Sequence, residues 1–263
     1  MPNRVEPQRR EGRPDSDRRF GTRIAIGALA AFLVAVPFTL LLFLVESAWE
    51  PLENLDTSAA EGLNEVARAN PWLVDTLDFG AVAFEPWVFR VAVLGVVIWL
   101  WRRGARRLAL WAVATTVLGG ILGVVLKVLV ERARPALPDP VARASGYSFP
   151  SGHALNSLLC VGVLLLVFLP VLGRTGRVVA YTAGALVVLL TGFDRVALGV
   201  HFVSDVLAGW VVALACLAGT SAAFEIWRRE QGRRPSTPAE GVEPEAAPEL
   251  TDSPDGARPG RRS

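Results

Sequence analysis

The chain has 263 residues, 52% of them hydrophobic, and its mean hydropathy of +0.39 is too high for an ordinary soluble globule. Lys and Arg number 27 against 25 Asp and Glu, a formal net charge of +2, and no nucleic-acid partner is expected. A polytopic membrane protein is the simplest reading.

Residues 1–23 are rich in Arg, Glu, Pro and Gly, with too little apolar surface to offset the entropy of ordering, and read as a disordered tail. The apolar run 24–45 follows. It exceeds the roughly 7 to 15 residues of a secretory signal core and precedes no convincing small-x-small cleavage site, so a retained helix is expected. In the polar segment beyond it, Ser58 and Glu61 fit a capping box and Asn70-Pro71 a stop, which predicts a helix near 59–69. Pro71-Trp72-Leu73-Val74 then opens a second, interfacial helix. Five more apolar runs, 87–101, 108–130, 154–173, 178–193 and 203–226, complete six candidate spans. Crossing a bilayer takes about 17 to 25 residues, so the second and fifth are short. Gly119 and Gly123 form a small-x-x-x-small pair that permits close helix approach. Trp49, Trp72, Trp87 and Trp227 lie near span ends, where indoles favour the headgroup region. Cys160 and Cys216 fall inside spans and read as buried hydrophobes, with no disulfide or metal site expected. Residues 227–263 form a second polar tail, again expected to be disordered. The predicted fold is all-α: a six-helix transmembrane bundle over 24–226 with short extracytoplasmic helices.

Orientation follows from arginine, because positive charge near span ends is retained in the cytoplasm. Arg4, Arg9, Arg10, Arg13, Arg18, Arg19 and Arg23 precede the first span; Arg102, Arg103, Arg106 and Arg107 separate the second and third; Arg174 and Arg177 separate the fourth and fifth; Arg228, Arg229, Arg233 and Arg234 follow the sixth. The segment between spans one and two is acidic, with Arg68 its single basic residue. Both termini are therefore expected in the cytoplasm.

The only two histidines, His153 and His201, and the only lysine, Lys127, each sit in a polar constellation that interrupts this apolar background. These are Lys127-x6-Arg134-Pro135, Pro150-Ser151-Gly152-His153 and Arg195-x5-His201-x3-Asp205. In the expected topology all three fall on the outer side. Lys127, Arg134 and Arg195 supply fixed positive charge suited to a phosphoryl group. Ser151 and Gly152 lie where a loop enters a helix, a place for an anion cradle, although Pro-Ser-Gly alone is an ordinary turn. If the sixth helix begins near His201, the i, i+4 relation lets the Asp205 carboxylate accept a proton from one ring nitrogen and leaves the other free.

The three motifs, in order and with their spacings kept, resemble the signatures of the type 2 phosphatidic acid phosphatase (PAP2) superfamily, in its membrane-integral branch. The resemblance implies that His201 attacks phosphorus to give a phosphohistidine, Asp205 orients it, and His153 protonates the leaving oxygen. Lys127, Arg134, Ser151, Gly152 and Arg195 are then the phosphate ligands. It also implies no metal and no other cofactor. One position departs: the third motif usually begins Ser-Arg, whereas this chain has Asp194-Arg195, and a carboxylate there can either pair with Arg195 or repel phosphate. Glu131, Arg132 and Arg143 share the outer loop with the first two motifs, either as supporting partners of the site residues or as solvated charges, and are left outside the core site; Arg90 is expected to snorkel. The expected activity is hydrolysis of a lipid phosphate or diphosphate, such as a polyprenyl diphosphate, phosphatidate or phosphatidylglycerol phosphate, at the outer face of a bacterial plasma membrane. A phosphotransferase to an acceptor alcohol and a non-catalytic lipid-phosphate binder or transporter are the alternatives.

Overall fold

A computed structural model describes residues 35–251. The expected tail 1–23, the first eleven residues of the first predicted span and residues 252–263 lie outside them. The regular secondary structure of the described residues is helical, with no strand among them. The first helix among the described residues, α1, is Ala35–Glu46, and α2 is Glu50–Ala69, bent from it by 84°. Helices α3 (Pro71–Ala83), α4 (Pro86–Arg103), α5 (Arg106–Val130) and α6 (Gly152–Phe168) follow. A 3-10 turn, Leu169–Val171, leads to α7 (Arg174–Ala197), α8 (Val203–Glu230) and, after two further 3-10 turns, the short α9 (Ala247–Thr251).

Prolines set several starts. Pro71 and Pro86 open α3 and α4, where a missing N–H does no harm, and Gly104 ends α4 in the left-handed region at φ 91°. The second helix begins at Glu50, well before the predicted 59, so Ser58 is mid-helix and its capping box is unused. Pro51 in the first turn is the start signal. The Asn70-Pro71 stop holds. Five described helical stretches are long and apolar enough to cross a membrane, six if the bent pair α1–α2 is one span. The protein is an integral membrane protein.

Helix α6 is the axis of the bundle and packs on α4, α5, α7 and α8. Half of its most apolar stretch is buried within the protein, 50% against 11% for α5, whose other faces are left for lipid. Lipid tails are as apolar as leucine, so helices associate here through close packing rather than hydrophobic burial. Small residues make that possible. Gly119 and Gly123 of α5 both face leucines of α6, Leu159 and Leu155, and Gly209 of α8 lies against the α6 backbone at Ser151 and Leu155.

The second tail departs from expectation. Residues 231–251 fold back over the end of the bundle where α8 terminates, with Val242, Ala246 and Leu250 buried in the main apolar core. Arg228, 2% exposed, holds the strap by donating to Glu225 and to both carboxylate oxygens of Glu245 at 2.5 and 2.6 Å. Three apolar residues spaced by four were too sparse a signal against a polar background.

Candidate active site

Antiparallel packing brings the C-terminal ends of α5 and α7 beside the N-terminal ends of α6 and α8. The residues assigned from sequence accordingly meet at one end of the bundle: Lys127 on α5, Arg134 in the loop 131–151, Ser151, Gly152 and His153 at the start of α6, Arg195 on α7, and His201 and Asp205 flanking the start of α8.

His201 is 2% exposed. Its Nδ1 lies 3.5 Å from Asp205 Oδ2 and 3.4 Å from Ser148 Oγ, while Nε2 lies 3.2 Å from Arg134 Nη1. Helix α8 starts at Val203, so His201 precedes it, and the pair is made by a capped turn rather than a helical face. Asp205 Oδ2 makes that turn by accepting the Phe202 N–H at 2.9 Å. Burial lowers the His201 pKa to about 4 against the opposing pull of Asp205, so the imidazole is neutral at physiological pH.

Lys127 and Arg134 are fixed by backbone carbonyls. Lys127 Nζ donates to Tyr147 O at 2.6 Å. Arg134 donates to Gly146 O, Ser145 O and Val200 O at 3.0, 3.1 and 2.6 Å, and desolvation lowers its pKa. The loop that carries it is pinned in turn by Asn64 of α2, which donates to Asp139 O and accepts from Val141 N, each at 3.1 Å. Arg195 Nη1 lies 3.2 Å from His153 Nε2, and the same ring nitrogen is 3.6 Å from Glu85 Oε2. Asp194, the departure from the usual motif, turns away from repulsion: its Oδ2 accepts from Arg195 Nε at 2.9 Å and from Nη2. That leaves Nη1 as the guanidinium edge directed at His153.

Ser151 and Gly152 divide differently from expectation. The Ser151 hydroxyl is fully buried and caps α6 by accepting from Ala154 N at 3.4 Å, and its N–H donates to Asp205 O at 2.9 Å. Ser151 therefore ties α6 to α8. Gly152, the first residue of α6, stands beside the Lys127 side chain, with only ordinary contact distance to spare for a Cβ.

Charged and polar residues outside the three motifs complete the surroundings of Asp205. Arg132 donates to Asp205 Oδ1 at 2.6 Å and to Asp56 Oδ2 at 2.9 Å, and Ser148 donates to Asp205 Oδ2. Arg132 lies two residues before Arg134 of the first motif, which is the signal in the sequence that points to it. Arg90, expected to snorkel, points inward and donates to Asn156 Oδ1 at 2.9 Å. It also lines an apolar groove of about 590 Å3 between α4 and α5. Arg143 is exposed, and Glu131 ends α5 and accepts from Tyr147 Oη at 2.8 Å.

Such a site can hold an anion among three cations with two imidazoles at hand. Comparison with known proteins agrees. The family model of the PAP2 superfamily matches residues 108–229. Phosphatidylglycerophosphatase B of Bacillus subtilis (strain 168) is 33% identical over 187 residues, which cover 68% of this chain and 89% of that protein. The chain belongs to the PAP2 superfamily. An undecaprenyl-diphosphatase of Sulfolobus acidocaldarius is 27% identical over 66% of the chain and 83% of its own length. Among solved structures, the transmembrane PAP2-type phosphatidylglycerolphosphate phosphatase from Bacillus subtilis superposes with a TM-score of 0.65 at 22% identity, covering 76% of this chain and 96% of that one. Aquifex aeolicus LpxE gives 0.51 at 21%, covering 63% and 94%. These two show the shared fold. As a PAP2 phosphatase, the protein is a hydrolase of phosphate ester or diphosphate bonds.

Proposed function

We propose that this protein dephosphorylates a lipid phosphate or lipid diphosphate at the outer membrane face through a phosphohistidine on His201, without a metal. The observation that carries this reading is the setting of the His201 ring, with Asp205 on its Nδ1 side and Arg134 on its Nε2 side. With the proton on Nδ1 shared toward Asp205, the Nε2 lone pair attacks phosphorus. The P–O bond to the lipid breaks, and His153 delivers a proton to the departing oxygen. Neutral His153 then takes a proton from water as that water attacks the phosphohistidine, releasing phosphate and restoring both rings. Lys127, Arg134, Gly152 and Arg195 hold the phosphoryl oxygens, where charge spreads in the transition state. The same reading assigns Ser151 the support of that cradle.

A lipid substrate is supported by the relatives' names and by the groove between α4 and α5. Its apolar wall suits an acyl or prenyl tail, and Arg90 at its rim is bonded to Asn156, one turn along α6 from His153. Phosphate release from purified protein against phosphatidylglycerol phosphate, phosphatidate and a polyprenyl diphosphate tests the substrate class. Activity is expected to persist in excess EDTA and to be inhibited by vanadate, which mimics the five-coordinate phosphoryl state among cations. Complete loss in EDTA, restored by one divalent ion, refutes the metal-free reading.

Sidedness rests on arginine placement, which puts both termini in the cytoplasm and the motif end outward. Ala144 and Gly104 are both exposed, in the motif-end loop and at the end of α4 respectively. In a background with Cys160 and Cys216 changed to Ala, Ala144→Cys should react with an impermeant maleimide in intact cells or spheroplasts. Gly104→Cys should react only after permeabilisation. The reverse pattern places the site in the cytoplasm.

A further inference from the structure

In addition to Asp194 and Asp205, the protein buries beside the reaction centre an aspartate that no phosphate-binding motif contains. Asp56, on α2, is 1% exposed. Its Oδ1 accepts from Ser204 N at 3.0 Å, and its Oδ2 accepts from Ser204 Oγ and from Arg132 Nη2 at 2.9 Å. The other arm of the same guanidinium donates to Asp205 Oδ1 at 2.6 Å and to Ser204 Oγ at 2.7 Å. Phe202 covers the guanidinium, with the ring centroid 4.3 Å from its central carbon. One arginine thus bridges two buried carboxylates, one of which faces His201.

Burying a carboxylate is expensive, and a buried ion network contributes less to stability than apolar packing of equal volume. What it does supply is geometry. A guanidinium is planar with fixed donor directions, so gripping Arg132 at one arm fixes where the other arm presents itself. Held at Oδ1 in this way, Asp205 directs Oδ2 toward His201 Nδ1, where Ser148 and the Phe202 N–H complete its shell.

We propose that Asp56 is a positioning residue for dephosphorylation: through Arg132 it fixes the Asp205 carboxylate against His201. The proposal rests on the reading of His201 as nucleophile. Asp56 lies on α2, outside the segment 108–229 that the family model matches, so the proposal extends the active unit to α2.

The test uses full-length protein in detergent, with Asp56→Asn, Arg132→Lys and the double variant, each checked for a monodisperse peak and its melting temperature. Asparagine keeps the shape and removes the charge; lysine keeps the charge and removes the fork. Each single change is expected to lower kcat by about 10- to 100-fold, as loss of an outer partner does at comparable sites, with KM within about threefold. The double variant should lose no more than the more damaging single, because both act through one bridge. Wild-type kcat in either single, or losses that multiply in the double, overturns the proposal and leaves Asp56 a cap of α8. Should Asp56→Asn not fold, Arg132→Lys decides alone, and wild-type kcat there is sufficient to reject it. His201→Ala runs alongside. Its full activity refutes the nucleophile reading, whereas inactive His201→Ala beside fully active Asp56→Asn refutes only the role given to Asp56.

Discussion

His201→Ala is expected to lower phosphate release by about 10⁴-fold or more, the scale on which removal of a catalytic nucleophile acts. The methyl group can neither attack phosphorus nor replace the ring between Asp205 and Arg134. A phosphoenzyme trapped from radiolabelled substrate by alkaline quench, where the P–N bond survives, should vanish with it. Asp205→Asn should retain the fold, because an amide oxygen can still accept from Phe202 N, yet lower kcat by about 10² to 10⁴-fold by losing the charge that balances the imidazolium. Near wild-type turnover by well-folded His201→Ala would sink the covalent mechanism, whatever the Asp205 variant does.

The largest structural effect is expected at Gly209. A Cβ built there meets Ser151 O at 2.7 Å and Leu155 N at 3.0 Å, backbone atoms of the first turn of α6 that cannot rotate aside. Alanine favours a helix over glycine by about 1 kcal/mol. Overpacking of a tight contact costs about 1 to 3 kcal/mol, and here relief requires moving α8 off α6. The contact should win, and Gly209→Ala should melt at lower temperature in detergent. Activity should fall further than stability, because the displaced segment carries the Ser151 bond to Asp205 O and the start of α6 at His153. Gly219, on the same helix with nothing within 4 Å of its added Cβ, is the control and should tolerate alanine unchanged or slightly stabilised. Equal behaviour of the two variants would show that the α6–α8 approach is looser than described.

What sequence alone determined is the set of properties written in short windows. Apolar runs of span length located α4 to α8 within a few residues, because a lipid-facing helix must be apolar almost throughout. Lys127, Arg134, His153, Arg195, His201 and Asp205 were legible because their types are scarce here and stand at the ends of those runs, where antiparallel packing of neighbouring helices gathers them. What only the tertiary structure decided depends on distant partners. Asp56 and Ser204 are 148 positions apart, and nothing in the polar run around Asp56 distinguishes it from Glu53 or Glu61 until α2 turns by 84° and lays one face on α7 and α8. The pairing of Asp194 with Arg195, rather than repulsion of phosphate, was likewise open until the side chains were placed. The strap 231–251 reads as polar because Val242, Ala246 and Leu250 are isolated along the chain, and they become core only when Arg228 and Glu245 bring the segment back onto the bundle. Local pattern fixes which residues enter the membrane; burial of individual charges is settled by which helices touch, since a carboxylate or guanidinium is tolerated inside only where another element supplies its partner.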